Sequence, residues 1–219
     1  SSKLMINILS HIVEFRNGES GLHVLHIQTI TEMLLRQLVQ KENNRYALSK
    51  EQIRMITTAS ALHDIGKISI PDEILNKPGR LTAEEFAVIK GHSMAGANML
   101  SELPLDQKEE PLVKTAYEIC RWHHERYDGG GYPDGLKGEE IPVSAQVVAL
   151  ADVYDALTSE RCYKDAYSHE KAIEMILAGQ CGAFNPLMLE CLLDISSSLK
   201  KKMGYKSKER YEQTDLSDI

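Results

Sequence analysis

Residues 53–67 read IRMITTASALHDIGK, and this stretch decides the fold. Ile53, Ile56, Ala59 and Leu62 return every third residue, close to one face of a helix, and the run ends on an adjacent imidazole and carboxylate, His63 and Asp64. Neighbours on a helix point in different directions, so such a pair serves one centre most readily where the helix stops. Gly66 is expected to supply that stop. A metal ion is the natural guest; a capped helix end with an incidental histidine is the plainer alternative.

The same period extends outward on both sides. It marks Leu4, Met5, Ile8, Leu9, Ile12 and Val13, then Leu25 to Leu38, then Phe86, Ile89, Met94, Ala97 and Leu100. Ser49, Thr82 with Glu85, and Ser168 stand where helices should begin, while Pro71, Pro78, Pro104, Pro142 and Pro186 fall between the periodic stretches. No period-two alternation persists, so an all-α domain of about seven to nine helices is expected. Residues 125–141, ERYDGGGYPDGLKGEEI, hold five glycines and a proline and must form a long irregular loop. The expected organisation is an N-terminal helix over 1–18, the remnant of a linker from an upstream domain, a domain over 19–200, and a charged tail over 201–219.

Composition narrows the function. With 219 residues, 42% hydrophobic, 26% charged and a net charge of -7, the chain is an ordinary globule without the basic face that a nucleic-acid polymer or anionic membrane requires. No run approaches the roughly 20 apolar residues of a membrane span, and no secretory leader is visible, so a cytoplasmic setting is expected. Cys120, Cys162, Cys181 and Cys191 form no CxxC pair and read as inert thiols.

Five histidines stand in purposeful contexts: His23, His63, His92, His123 and His124. His123 and His124 close the helix that precedes the glycine loop, where two imidazoles meet one junction. Asp152 follows the apolar run Val147 to Ala151, where an unpaired carboxylate is costly, so it needs a cation. Carboxylate and imidazole donors without a thiolate set favour iron, manganese, cobalt or zinc. More than four candidate ligands imply at least two ions, an arrangement suited to phosphodiester hydrolysis. Glu19 and His23, one helical turn apart, are a further candidate pair.

Taken together, His63-Asp64-Ile-Gly-Lys67, Ile70-Pro71-Asp72, Lys77-Pro78-Gly79, His92, His123-His124-Glu125-Arg126 and Asp128-Gly-Gly-Gly131-Tyr132-Pro133 resemble the HD-GYP family, a branch of the HD-domain metal-dependent phosphohydrolases. The resemblance continues through Ala151-Asp152-Val-Tyr-Asp155, Arg161-Cys-Tyr163-Lys164 and Gly182-Ala-Phe184-Asn185-Pro186, and covers about Glu19 to Leu193. It implies hydrolysis of cyclic di-GMP to pGpG, and on to GMP in some members. By position it assigns His63, Asp64, His92, His123, His124 and Asp152 as metal ligands, and Glu19 with His23 as the pair that accompanies a third ion. The cofactor is then two or three divalent ions, iron or manganese foremost, with cobalt, nickel or zinc as alternatives.

Under the same resemblance Asp64 and Lys67 are the catalytic candidates, and Lys67, Arg161 and Lys164 meet substrate phosphates. The Gly131-Tyr132-Pro133 loop becomes a contact for a diguanylate cyclase domain, a receiver or sensor domain is expected upstream, and a homodimer is a further expectation. Departures from the family pattern are His26, Ser69, Cys162 and Asn185; none removes a ligand, but His26 leaves open how the first ligand helix is fixed. Asp155 is either a support for the ligands or a carboxylate that pairs helices. His11 and His169 read as solvent-facing. The rival readings are a sensing or docking module that turns over slowly, and a phosphohydrolase for another cyclic dinucleotide.

Overall fold

The computed structural model describes residues 2–18, 21–160 and 165–215, with side chains as far as residue 204. Among the described residues its regular secondary structure is entirely helical, apart from two isolated bridges, Asp128 with Lys137 and Gln180 with Gly182. The helices are α1 (Ser2–Arg16), α2 (His23–Leu38), α3 (Lys50–Ser60), α4 (Asp72–Leu75), α5 (Ala83–Lys90), α6 (His92–Ser101), α7 (Leu105–Lys108), α8 (Pro111–Trp122), α9 (Val143–Thr158), α10 (His169–Leu177) and α11 (Pro186–Asp215). Nine of these span eight residues or more, while α4 and α7 are single turns of four. A 3-10 turn covers Ile65–Ser69 and a second covers Gly138–Glu140.

The expected starts are built as capping chemistry requires. Ser49 and Gln52 exchange side-chain and backbone hydrogen bonds at the start of α3, Thr82 and Glu85 do so for α5, and the Ser168 hydroxyl accepts from the Lys171 amide. Helix α2 is the central strut: Ile27, Ile30, Leu34, Leu35 and Leu38 are fully buried where it packs against α3, α9 and α11. Each such side chain contributes roughly 1.5–3 kcal/mol of burial. Helix α9 is apolar almost all round and runs through the interior, so Asp152 and Asp155 are held at fixed depth beside α2.

One expectation needs correction here. The α-helix of the opening stretch ends at Ser60, capped by Ala61, and Gly66 does not end it: it lies inside the first 3-10 turn and is not among the glycines with positive φ. Its value is its missing side chain, because a Cβ there would lie 1.9 Å from the His92 carbonyl oxygen and 2.5 Å from the Gly96 amide nitrogen. Only glycine lets the turn carrying Asp64 press against α6, which carries His92. In α1, the apolar residues Leu4, Met5, Ile8, Leu9 and Ile12 are exposed rather than turned to the core, and Val13 alone of that set is half-buried with Glu14 beside it.

Candidate metal centre

Five segments deliver the candidate ligands to one point. His23 opens α2, His63 and Asp64 lie in the turn after α3, His92 opens α6, His123 and His124 close α8, and Asp152 projects from α9. His23, His63, His92 and His123 are buried, with His123 at 0% and His63 at 1% exposure, so their polar atoms must find partners within the fold.

The donor atoms fall into two cages that share one residue. Asp64, His92, His123 and His124 form one; His23, His63, Asp64 and Asp152 form the other. Asp64 faces both ways. Its Oδ1 lies 3.2 Å from His92 Nε2 and 3.5 Å from His123 Nε2, while its Oδ2 lies 3.1 Å from His63 Nε2 and 3.7 Å from His23 Nε2. Asp152 Oδ1 completes the second cage, 3.4 Å from His23 Nε2 and 3.6 Å from His63 Nε2.

The far sides of the rings decide what the near sides can do. His63 Nδ1 donates to the Ser60 carbonyl at 2.8 Å, His92 Nδ1 to that of Ile89 at 2.7 Å, and His123 Nδ1 to that of Ile119 at 2.8 Å. A carbonyl only accepts, so these Nδ1 atoms carry the protons and the neutral rings present Nε2 lone pairs to the cages. The Nε2 atoms face one another: His23 and His63 at 3.1 Å, His92 and His123 at 3.4 Å, His92 and His124 at 3.2 Å. Acceptors opposed at such distances repel unless a cation or proton lies among them. The donor set therefore fits divalent metal ions, one to each cage, held by imidazole and carboxylate.

The electrostatics agree. Burial, reinforced by the neighbouring His123 and His92, pushes His124 well below its ordinary value, and burial also lowers His123, so both are neutral and ready to ligate. Burial opposes ionisation of Asp64 and Asp152, yet the facing imidazoles, with Lys67 for Asp64, hold both well below the usual carboxylate range. Burial likewise pulls His63 down, but Asp64 and Asp152 outweigh it and raise it to about 10. Ligation needs that ring neutral, so an ion bound there would displace a proton and would be held less tightly as the pH falls.

Asp155 supports the ligands. It accepts from His23 Nδ1 at 2.5 Å and from His26 Nδ1 at 2.7 Å, and these two rings overcome burial to bring it down to about 2. His26 thus fixes the first ligand helix through Asp155. His169 is not solvent-facing as expected: it is half-buried, its Nδ1 2.7 Å from the Tyr154 hydroxyl and its Nε2 2.8 Å from the Ser196 hydroxyl. His11 is exposed. Lys67 Nζ stands 3.1 Å from Asp64 Oδ2, at the edge of the shared carboxylate. Glu19, Arg161, Cys162 and Lys164 lie outside the described residues.

Glu125 is a residue whose role the sequence did not announce. It is 2% exposed and gathers three amides of the glycine loop, Asp134 at 2.7 Å and Gly135 at 3.2 Å on Oε1, and Leu136 at 3.0 Å on Oε2. The signal was available: a carboxylate between the ligand pair and a glycine-rich loop is placed to satisfy that loop's amides. Gly131 passes so close that a Cβ would lie 2.4 Å from the His124 carbonyl oxygen, and this brings the Tyr132 ring to stack on His124, centroids 4.8 Å apart. Glu125→Gln sets an amide N–H₂ against one of these donors. It should cost about 1–2 kcal/mol and lower turnover roughly tenfold, read from melting and steady-state rates.

Fold and site together define a helical domain with a buried imidazole and carboxylate cluster able to hold metal ions, and comparison with known proteins places it. The chain belongs to the HD-domain family, whose model matches residues 3–184, and within it to the HD-GYP branch. It is 42% identical over 191 residues to a probable cyclic di-GMP phosphodiesterase of Vibrio cholerae, covering 84% of this chain and 42% of that protein. It is 38% identical over 194 residues to a 3'3'-cGAMP-specific phosphodiesterase of the same organism, covering 89% of this chain and 35% of the relative. Among solved structures, an HDG"Y"P protein from Bdellovibrio bacteriovorus superposes with a TM-score of 0.59 at 22% identity, covering 79% of this chain and 51% of that one. The chain spans less than half the length of these two curated relatives. No described helix is long and apolar enough to cross a membrane.

Proposed function

We propose that this chain is a metal-dependent phosphodiesterase that opens cyclic dinucleotides, cyclic di-GMP foremost, to pGpG and on to GMP. The observation that carries the reading is the pair of cages sharing Asp64. Two divalent ions seated there supply a Lewis-acid clamp on the phosphoryl group and lower the pKa of a water molecule that can attack it. His92, His123 and His124 would hold one ion, His23, His63 and Asp152 the other, with Asp64 common to both. Iron or manganese is the proposed identity.

The chain's own residues supply the rest. Asp64 orients Lys67, whose ammonium can donate to a phosphate oxygen or protonate the departing 3'-oxygen. Arg161 and Lys164 are proposed to meet the phosphates as a planar fork and a point charge. Glu125 and Gly131 keep the Tyr132 ring on His124, which walls one side of the site. The Gly131–Pro133 loop is also proposed as the contact for a diguanylate cyclase domain, with a receiver or sensor domain upstream, in a cytoplasmic setting that suits the free thiols Cys120 and Cys191.

Turnover of cyclic di-GMP and 3'3'-cGAMP by the manganese- or iron-loaded protein tests the substrate assignment. Faster cyclic di-GMP cleavage is expected; preference for 3'3'-cGAMP would move the chain to the specificity of the second relative, and cleavage of neither would leave a sensing or docking module. Glu19 decides whether a third ion joins His23. Glu19→Ala should lower bound metal by about one ion per chain and spare the step to pGpG more than the step to GMP. Identical metal content and products in wild type and variant would remove Glu19 from the ligand set.

A further inference from the structure

Two of the elements that carry the metal centre lack side-chain caps of their own, and α1 provides both. Helix α2, which begins with His23, has Leu22 at its N-cap position and no side-chain hydrogen bond from it. Instead the Glu14 carboxylate, 5% exposed, reaches across from α1 and accepts from the Val24 amide at 2.6 Å. That is the service an N-cap residue normally renders from within.

The 3-10 turn that presents Lys67 is closed in the same manner at its other end. The Arg16 guanidinium donates from Nη1 to the Lys67 carbonyl at 2.8 Å and from Nη2 to the Ile70 carbonyl at 2.5 Å. A planar fork across two terminal carbonyls is a C-cap delivered from a neighbouring helix. The end of α1 is itself held, because Asn76 Nδ2 donates to the Arg16 carbonyl at 3.0 Å. A cavity of only about 10 Å³ separates Val13 and Glu14 of α1 from His23, His63 and Asp64, room for no more than a single water.

We infer that Glu14 and Arg16 are positioning residues of the site: Glu14 sets His23 through the start of α2, and Arg16 sets Lys67 through the 3-10 turn. Helix α1 is thereby the element through which anything attached to the N-terminal side of the domain would act on the site. The part concerning Lys67 rests on the phosphodiesterase reading above; the part concerning His23 rests on the cages alone.

The test uses Glu14→Met and Arg16→Met, which keep the bulk of each stem and remove only the polar head, with Glu14→Gln as the variant that retains an acceptor. Circular dichroism sets a temperature at which all are folded. Titration with Mn²⁺ alone should show Glu14→Met binding one of two ions roughly 10–100-fold more weakly and the other as wild type, with Glu14→Gln restored toward wild type. Exchange at the Val24 amide should accelerate in Glu14→Met only. Arg16→Met should lower turnover about tenfold without changing Mn²⁺ stoichiometry, and should have no further effect when Lys67→Ala is already present.

Wild-type Mn²⁺ binding in Glu14→Met, or weakening of both ions alike, would overturn the role of Glu14. An additive loss in the Arg16, Lys67 double variant would overturn that of Arg16. Should the wild-type protein cleave no cyclic dinucleotide, the phosphodiesterase reading fails while the Mn²⁺ titration still decides whether Glu14 positions His23.

Discussion

Asp64→Ala is expected to leave a folded helical protein that has lost both ions and at least about a thousandfold in turnover. The carboxylate is the one residue common to the two cages, so its removal takes an anionic ligand from each at once. It also strands five groups. His23, His63, His92 and His123 would keep their Nε2 atoms opposed without the negative charge between them, and Lys67 would lose its partner at 3.1 Å. Metal ions supply several kcal/mol of transition-state stabilisation, and each 1.36 kcal/mol is tenfold, which gives roughly the thousandfold figure. The fold should survive, because the core of α2, α9 and α11 lies elsewhere. Elemental analysis, turnover and circular dichroism on the same preparation read all three consequences. A variant that kept both ions and the wild-type rate would end the metal-centre account.

Gly66→Ala should be the most disruptive single methyl in the domain. The added carbon would meet backbone on all sides, the His92 carbonyl oxygen at 1.9 Å, the Gly96 amide nitrogen at 2.5 Å and the His92 carbonyl carbon at 2.9 Å. None of these atoms can rotate away. Either the 3-10 turn or α6 must shift, and the shift separates Asp64 from His92, now 3.2 Å apart. Overpacking of this kind costs about 3 kcal/mol or more, which for a domain of this size lowers the melting temperature by roughly 10 °C. Metal bound by the cage of His92, His123 and His124 should fall with it, while the cage of His23, His63 and Asp152 should be less affected. An unchanged melting temperature would mean that the two elements do not pack as closely as the structure has them.

The helices and most of the candidate ligands that the structure gathers were legible because each is a local matter. Period and capping residues located α3, α5 and α10 from a few neighbouring positions, and His123 and His124 announced themselves by adjacency at a helix end. What stayed hidden depends on which elements meet. Gly66 reads as a helix terminator in one dimension; only the approach of α6 reveals that it is a close-packing glycine. His169 looks like a surface residue until Tyr154 and Ser196 are brought to it from α9 and α11. Glu14 and Arg16 sit in a helix whose apolar positions point outward, so periodicity gave no reason to turn these charges inward. The carboxylate of Asp155 could be named as a support or a pairing group, and the contact with both His23 and His26 resolves it in favour of the first.

Asp64 is expected to join two metal sites. Anomalous X-ray scattering from crystals of the manganese- or iron-loaded protein measures this directly. The expected result is two peaks roughly 3.5–4 Å apart on either side of the Asp64 carboxylate, one within the Nε2 atoms of His92, His123 and His124 and one beside His23, His63 and Asp152. A single peak, or peaks that do not touch Asp64, would contradict it.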